Sequence, residues 1–406
     1  MKSIKLNIYD LFLFVIILGL LFYGTGFSKF VILGNIHLFD LTLVTLSFII
    51  LIRFYKRLVY KPLIMFSVIS ILYLILSFIK TNISTTIILR QFALFGYFIL
   101  FYLIFTSISY GKSNLNYIKF IVLVGKLSML IQIFYLILLT IQGKNVFSNY
   151  YYFTPLIVMG IIVFFSYILV EKLSLLKKIL LFVLVMIISL TMGHASAYMS
   201  LLVILFVHMN IIAKSVFKLL PVIVFICSVI YLMAFNKDYN DANSSWRMTL
   251  WVFSFENIIK NNYAILGEGF GIPYFNDNVL TFAFKGIDMN ELFQYSFLDE
   301  QSKYLSPVHN SFITIAQHIG LIPMLLIFYP FYRLLKYRVV VFSNKNENKA
   351  TLFLMYSLIG LTIWSSFNVI LELPHSSIFY WFVYFALLKE VDDRLTDYKT
   401  KLFDKE

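Results

Sequence analysis

Apolar residues run through this chain in stretches of about twenty, separated by short polar junctions. A helix needs roughly 20 apolar residues to cross the hydrocarbon core of a bilayer. On that criterion the runs predict helices near residues 8–26, 38–53, 62–79, 86–108, 117–142 and 151–170. Six more are predicted near 176–192, 194–213, 216–235, 309–332, 350–370 and 374–389. The expected fold is therefore an all-α polytopic integral membrane protein with about 12 transmembrane helices, within a range of 10–13. The first run is too long, and too poorly followed by small residues, for a cleaved signal peptide, so it reads as an anchor. No internal repeat is visible.

One junction differs from the rest. Residues 236–308 form a 73-residue loop with nine acidic against five basic side chains, and with glycines at Gly267, Gly269, Gly271 and Gly286. Within it, Ser244 and Ser245 are placed to cap a helix that carries Met248, Trp251, Val252, Phe255, Ile258 and Ile259 at spacings of three and four. Such an amphipathic helix is expected to lie along the membrane surface. The organisation is then nine N-terminal spans in 1–235, the external loop at 236–308, three C-terminal spans in 309–390 and a cytoplasmic tail at 391–406.

Composition agrees with a lipid-solvated chain: 61 % of the 406 residues are apolar, 13 % are charged, and the mean hydropathy is +0.87. Soluble domains run near about 45–50 % apolar and about 25 % charged, so no large water-soluble domain fits. The single Cys227 excludes an intramolecular disulfide or a cysteine-rich metal site. A net charge of +13 is topological and not a nucleic-acid footprint. The cations cluster after even-numbered runs, at Arg53, Lys56, Arg57 and Lys61, at Lys172, Lys177 and Lys178, at Lys214 and Lys218, and at Arg333, Lys336 and Arg338. With the amino terminus inside, 23 of the 33 Lys and Arg fall in or beside cytoplasmic segments, as the positive-inside rule requires. Both termini are then cytoplasmic and the long loop is external.

Several polar residues stand where chemistry is plausible at the outer surface. In Ser245-Trp246-Arg247-Met248-Thr249-Leu250-Trp251, an arginine falls in the first turn expected for the interfacial helix. Its fork of donors and the positive helix start suit a phosphate; the competing reading is snorkelling to lipid headgroups. In Pro307-Val308-His309-Asn310-Ser311, a histidine and an asparagine open the tenth helix. Histidine moves protons near neutral pH, although it also serves as a cap in the headgroup zone. Gly267-Glu268-Gly269-Phe270-Gly271 allows close backbone approach, to a ligand or in a plain turn, and lacks the spacing and βαβ setting of a dinucleotide fingerprint. Arg90 lies four or five residues inside the outer end of the fourth helix, where a charge faces a cavity, a partner or the headgroups. Lys126 and His194 are lesser candidates.

Taken in order, the Arg247-to-Trp251 element, the alternating glycines and His309-Asn310 before Gly320-Leu321-Ile322-Pro323 resemble the bacterial O-antigen polymerase and O-antigen ligase family. The resemblance implies functional roles for Arg247 and His309. The family's further arginine, in a Ser-Arg-small-small context, is missing here: the comparable stretch is Thr191-Met192-Gly193-His194-Ala195-Ser196-Ala197. A second phosphate contact then falls to Arg90 or His194, with Asn310, Gly267, Gly269 and Gly271 beside the substrate.

What the resemblance implies is glycosyl transfer, on the outer face of the bacterial cytoplasmic membrane, from an undecaprenyl-pyrophosphate-linked oligosaccharide donor to a glycan acceptor. Arginines would hold the pyrophosphate and His309 would accept the hydroxyl proton, without a metal or cofactor. Tyr263, Tyr274, Phe275, Phe293, Tyr295 and Tyr304 are available to stack on sugars. Membrane lipid is a partner, nucleic acid is not, and a flippase and a chain-length regulator are further partners the family implies. A polymerase extends the repeat unit, whereas a ligase passes the glycan to a lipid or protein acceptor. A flippase moving lipid-linked oligosaccharide without chemistry is the alternative from another class. The acidic loop motif of the shape, elongation, division and sporulation polymerases is not clearly present.

Overall fold

The computed structural model describes residues 15–22, 31–33, 36–37, 40–42, 44–45, 48–49, 59–110, 116–145, 155–192, 195–212, 242–260, 265–274, 302–305, 307–338 and 349–403. These are helical apart from loops and a small antiparallel ladder, β1 (Val31–Leu33) with β2 (Ile36–His37). Six helices follow the expected runs: α1 (Lys61–Lys80), α2 (Thr85–Tyr110), α3 (Tyr117–Ile141), α4 (Pro155–Val170), α5 (Leu175–Thr191) and α6 (Ala195–Ile212). The expected helix at 216–235, and most of those at 8–26 and 38–53, lie outside the described residues.

Local chemistry sets several of these starts. Pro62 occupies the first turn of α1, where a missing N–H is harmless. Asn116 caps α3 by accepting from the Lys119 N–H at 2.9 Å. Three helices are long and apolar enough to cross a membrane: Lys61–Lys80, Thr85–Thr106 and Tyr117–Ile141. Pro155–Val170, Ser196–Ile211 and Lys349–Ser365 are apolar but shorter. Large apolar side chains face outward, including Met65, Leu72 and Ile79 on α1, Phe134 and Ile141 on α3, and Leu176 and Leu180 on α5. Faces of this kind need lipid rather than water around them. Six buried hydroxyls are satisfied inside their own helices: Ser67, Ser70, Thr106, Ser128, Ser166 and Ser200 each donate to the carbonyl four residues back.

The interior is built on α4, α11 (Lys349–Ser365) and α12 (Pro374–Phe403). α4 is apolar all round and buried at 13 of its 16 positions, so it belongs at the centre. Residues 374–388 of α12 are likewise buried, and their aromatic rings meet those of α2: Phe98 lies 4.9 Å from Trp381, edge to face. Small residues allow the closest crossings. A Cβ on Gly125 would lie 3.1 Å from the Gly160 carbonyl, one on Gly160 would strike Ser128, and one on Gly360 would strike Ile162 and Ile204.

Two expected elements differ. The tenth helix is broken into α8 (Ser311–Ile319), α9 (Leu321–Leu325), a 3-10 turn (Leu326–Phe328) and α10 (Tyr329–Lys336). The break falls at Gly320, whose φ is +95°. It occurs because the carbonyls of Gln317 and His318 accept from Glu268 N–H (2.7 Å) and Gly269 N–H (2.9 Å) instead of from a continuing helix. The last helix runs to Phe403, where 389 was expected. Beyond that point it is a polar helix with i,i+4 pairs Lys389–Asp393 and Glu390–Arg394, and Asp392 is held by Arg333 and by the Tyr60 hydroxyl at 2.8 Å.

Gly160→Leu forces α3 and α4 apart and lowers stability by about 1–3 kcal/mol. Thermal unfolding in detergent reads this directly; an unchanged midpoint would mean that the two helices do not approach as described.

Candidate functional site

The alternating glycines lie on a strand of backbone that threads between α1, α2 and α8. Several of its polar groups are met by side chains or backbone groups from those helices. Phe270 N–H donates to Ser77 Oγ at 2.7 Å, and Gly271 N–H donates to Gln91 Oε1 at 2.7 Å. Gln91 Nε2 donates in turn to the carbonyls of Ile272 (2.8 Å) and Tyr304 (2.9 Å). His318 Nδ1 lies 2.6 Å from the Gly269 carbonyl and Nε2 lies 3.1 Å from the Tyr274 hydroxyl. A carbonyl only accepts, so His318 carries its proton on Nδ1 and Nε2 accepts from Tyr274. Gly269 and Gly271 have φ of +88° and +80°, and a Cβ on Gly267 would run into the backbone of His318 and Ile319. These glycines serve close packing against protein.

The segment delivers Tyr274 to a small polar cavity of about 40 Å³ lined by Arg90, Gln91, Tyr274, Tyr304, Pro307, Val369, Glu372 and Leu373. Glu372, in the turn between α11 and α12, is 8 % exposed. Its Oε2 accepts from Ser311 Oγ at 2.6 Å, while its Oε1 has no hydrogen-bond partner among the described residues. Burial pushes its carboxyl up to about 7; hydrogen bonding from Ser311, its own backbone and Thr314, with the charge of Arg90, opposes that rise. Ser311 also holds the turn itself, accepting from the N–H groups of Ile370 (3.2 Å) and Leu371 (3.1 Å). On its other side Arg90 stands beside the Tyr97 hydroxyl, which donates to Asp40 Oδ1 at 2.9 Å.

His309 follows Pro307 of the cavity wall by two residues and feels the charge of Arg247. The helix of Arg247, α7 (Ala242–Lys260), docks by Trp251, whose indole N–H donates to the Val308 carbonyl at 2.8 Å and whose ring lies 5.4 Å from Phe367. Leu250, Tyr274, Val308 and Ile313 form a small apolar cluster under it. Of the expected apolar face, Ile258 is buried and Trp251 half-buried, whereas Val252, Phe255 and Ile259 stay exposed, Ile259 at 70 %; Leu250 and Ser254, outside that face, are buried. α7 also begins earlier than Ser244 and Ser245 imply, so Arg247 falls in its second turn, beyond the free N–H groups. Its guanidinium, not the helix start, supplies the positive charge.

His309 has φ of +53°, the one non-glycine positive φ among the described residues. Burial first, then the charge of Arg247, pulls its imidazole down to about 4, which keeps it neutral at physiological pH. Asn310 is the N-cap of α8: its Oδ1 accepts from the N–H groups of Phe312 (3.0 Å) and Ile313 (3.1 Å).

Of the residues singled out in the sequence, Arg90, Arg247, His309, Asn310 and the glycines Gly267, Gly269 and Gly271 therefore gather at one end of the bundle. His194 lies outside the described residues, as do Tyr263, Phe275, Phe293 and Tyr295. Lys126 stands apart, over the ring of Tyr167. Sequence reasoning missed Glu372, Gln91 and His318. Among the described residues, no three His, Cys, Asp or Glu side chains come together as a metal would need. The chain matches no family model and no curated protein.

Gln91→Leu strands three buried polar groups, at about 1–3 kcal/mol each, and should lower stability by more than any single hydrogen bond is worth. A thermal midpoint equal to that of the wild type would contradict this. Glu372 gives a signed pH effect. Its folded value lies above the unfolded one, so the folded protein binds the extra proton and stability is lost as pH rises through about 7. Glu372→Gln should be more stable than wild type at pH of about 8, by about 3 kcal/mol, with the gap closing below about pH 5. Unfolding midpoints measured across that range check both limits.

Proposed function

We propose that the chain is a membrane glycosyltransferase that joins undecaprenyl-pyrophosphate-linked oligosaccharide repeat units into a surface polysaccharide, as an O-antigen or capsule polymerase does. The observation that carries this reading is the convergence of Arg90, Arg247, His309 and a polar cavity at one end of an apolar bundle. That end is reached by Thr81 of α1, while Tyr60 at the opposite end of the same helix meets the Arg333–Asp392 pair. A 20-residue helix separates the two ends by about 30 Å, a bilayer's hydrocarbon thickness. The basic end is the cytoplasmic one in this reading, and the site faces outward under α7. It belongs to a fold of about twelve spans with both termini inside.

At the site, Arg247 and Arg90 hold the lipid pyrophosphate and stabilise the charge that builds on it as the anomeric C–O bond breaks. His309, kept neutral beside Arg247, is a hydrogen-bond partner for the reacting oxygens. The exposed Val252, Phe255 and Ile259 set α7 into the lipid, where a polyprenyl chain resides. Tyr304, half-buried at the cavity, offers ring surface for a sugar.

The test is incubation of the protein in lipid vesicles with an undecaprenyl-pyrophosphate oligosaccharide, following product length on a gel. Wild type should give a ladder, and Arg247→Ala and His309→Gly should abolish it. Glycine is chosen at 309 because the backbone there is left-handed, so the fold is spared. Transfer of one glycan to a different acceptor would make the protein a ligase. Movement of donor across the bilayer with no glycan joined would make it a flippase.

A further inference from the structure

We propose that Glu372 is the proton acceptor of the transfer reaction, taking the O–H of an acceptor sugar whose hydroxyl enters the cavity that Glu372 shares with Arg90. This rests on the glycosyltransferase reading above. The carboxylate is more than nine-tenths buried, one oxygen is committed to Ser311, and the other has no partner among the described residues. The cavity of about 40 Å³ is too small for a whole sugar and large enough for one hydroxyl-bearing group. Its chemistry selects that group. A hydroxyl there donates to the Glu372 carboxylate and accepts from the Arg90 guanidinium, so it fits both charged groups of the lining.

The step balances. The acceptor oxygen forms a bond to the anomeric carbon of the donor as that carbon's bond to the pyrophosphate oxygen breaks. The bonding pair leaves with the lipid pyrophosphate, and the hydroxyl proton passes to Glu372. Arg247 and His309 attend the leaving group.

The usual order of basicity is reversed here, since burial lifts Glu372 to about 7 while burial and Arg247 lower His309 to about 4. A base works best when its value lies near the working pH, which is the position of Glu372. The groups facing it are Arg90 from α2, Ser311 and Thr314 from α8, and Tyr274 and Tyr304 from the loop. Arg90 is the charged one among them, and it favours the ionised carboxylate.

The experiment measures kcat for ladder formation in vesicles from about pH 5 to about pH 9 for wild type, Glu372→Gln and Arg90→Gln. Wild-type kcat should rise to a plateau through a limb near pH 7, the value of the carboxyl. Glu372→Gln should lose about 100-fold or more in kcat, with the limb gone and KM for the donor little changed. Arg90→Gln should be slower and should carry its limb to higher pH, because the charge that favours the carboxylate is absent. That shift decides the matter independently of Glu372→Gln. A folded Glu372→Gln with wild-type rate and limb, or an Arg90→Gln limb that stays in place, overturns the assignment and leaves the cavity a water site. Wild type that makes no product overturns the glycosyltransferase reading, and the assignment falls with it.

Discussion

The arrangement hangs on one requirement: an irregular strand of backbone runs among apolar helices, and each of its amides must find a partner there. An unmatched amide in an apolar setting costs several kcal/mol, about as much as a small domain's margin of stability. Gln91, Ser77 and His318 supply partners for the Phe270 and Gly271 N–H groups and for the Gly269 and Ile272 carbonyls. The consequences spread from there. The carbonyls of Gln317 and His318 turn to the glycine strand, so α8 stops at Gly320, and both ends of α8 become fixed points. Asn310 then caps α8, Ser311 reaches across to the turn carrying Glu372, and Val308 receives Trp251. Arg247 sits one turn before that tryptophan. A set of charged residues distant in sequence is thereby brought to one end by hydrogen bonds that are themselves uncharged.

Much of the bundle was legible because lipid imposes a simple pattern. Runs of about twenty apolar residues predicted α1 to α6 with ends within a few residues, since polar side chains have nowhere to go inside such a run. The pattern misled where polar partners intervene. Pro323 and Gly320 hinted at a break in the tenth run, but the cause, carbonyls diverted to Glu268 and Gly269, is tertiary. Hydropathy also placed the end of α12 too early, because its last turns are held by ion pairs rather than by burial.

The site was legible in part. Arg90 and Arg247 stand out as cations in apolar or interfacial settings and His309 as a proton-moving side chain at a helix start, and the structure brings them to the same end. The glycines attracted notice for their freedom, which is used for packing: a side chain on Gly267 would meet the backbone of α8. Ser244 and Ser245 suggested a cap, yet the helix passes through them, and a cap reading has no way to sense a start fixed by docking at Trp251. Gln91 gave no signal, since a glutamine near a helix end is ordinarily solvated. Glu372 did have one. It interrupts an otherwise apolar passage between the last two predicted helices, in Ile370-Leu371-Glu372-Leu373-Pro374, and a lone acid at such a junction is a functional hypothesis by default.

The two ionisable groups show how one bundle end can hold charges in opposite states. His309 and Glu372 are both largely buried, and burial favours the neutral form of each. For the imidazole this means losing its proton, and Arg247 pushes the same way. For the carboxyl it means keeping its proton, and Arg90 pushes the other way. The first pair of effects adds and the second partly cancels. The imidazole is therefore left too weakly basic to retain a proton at neutral pH, whereas the carboxyl sits where gain and loss are nearly balanced. In the proposed reaction this separation gives the negative donor and the mobile proton distinct places, and the cation beside each group determines which is which.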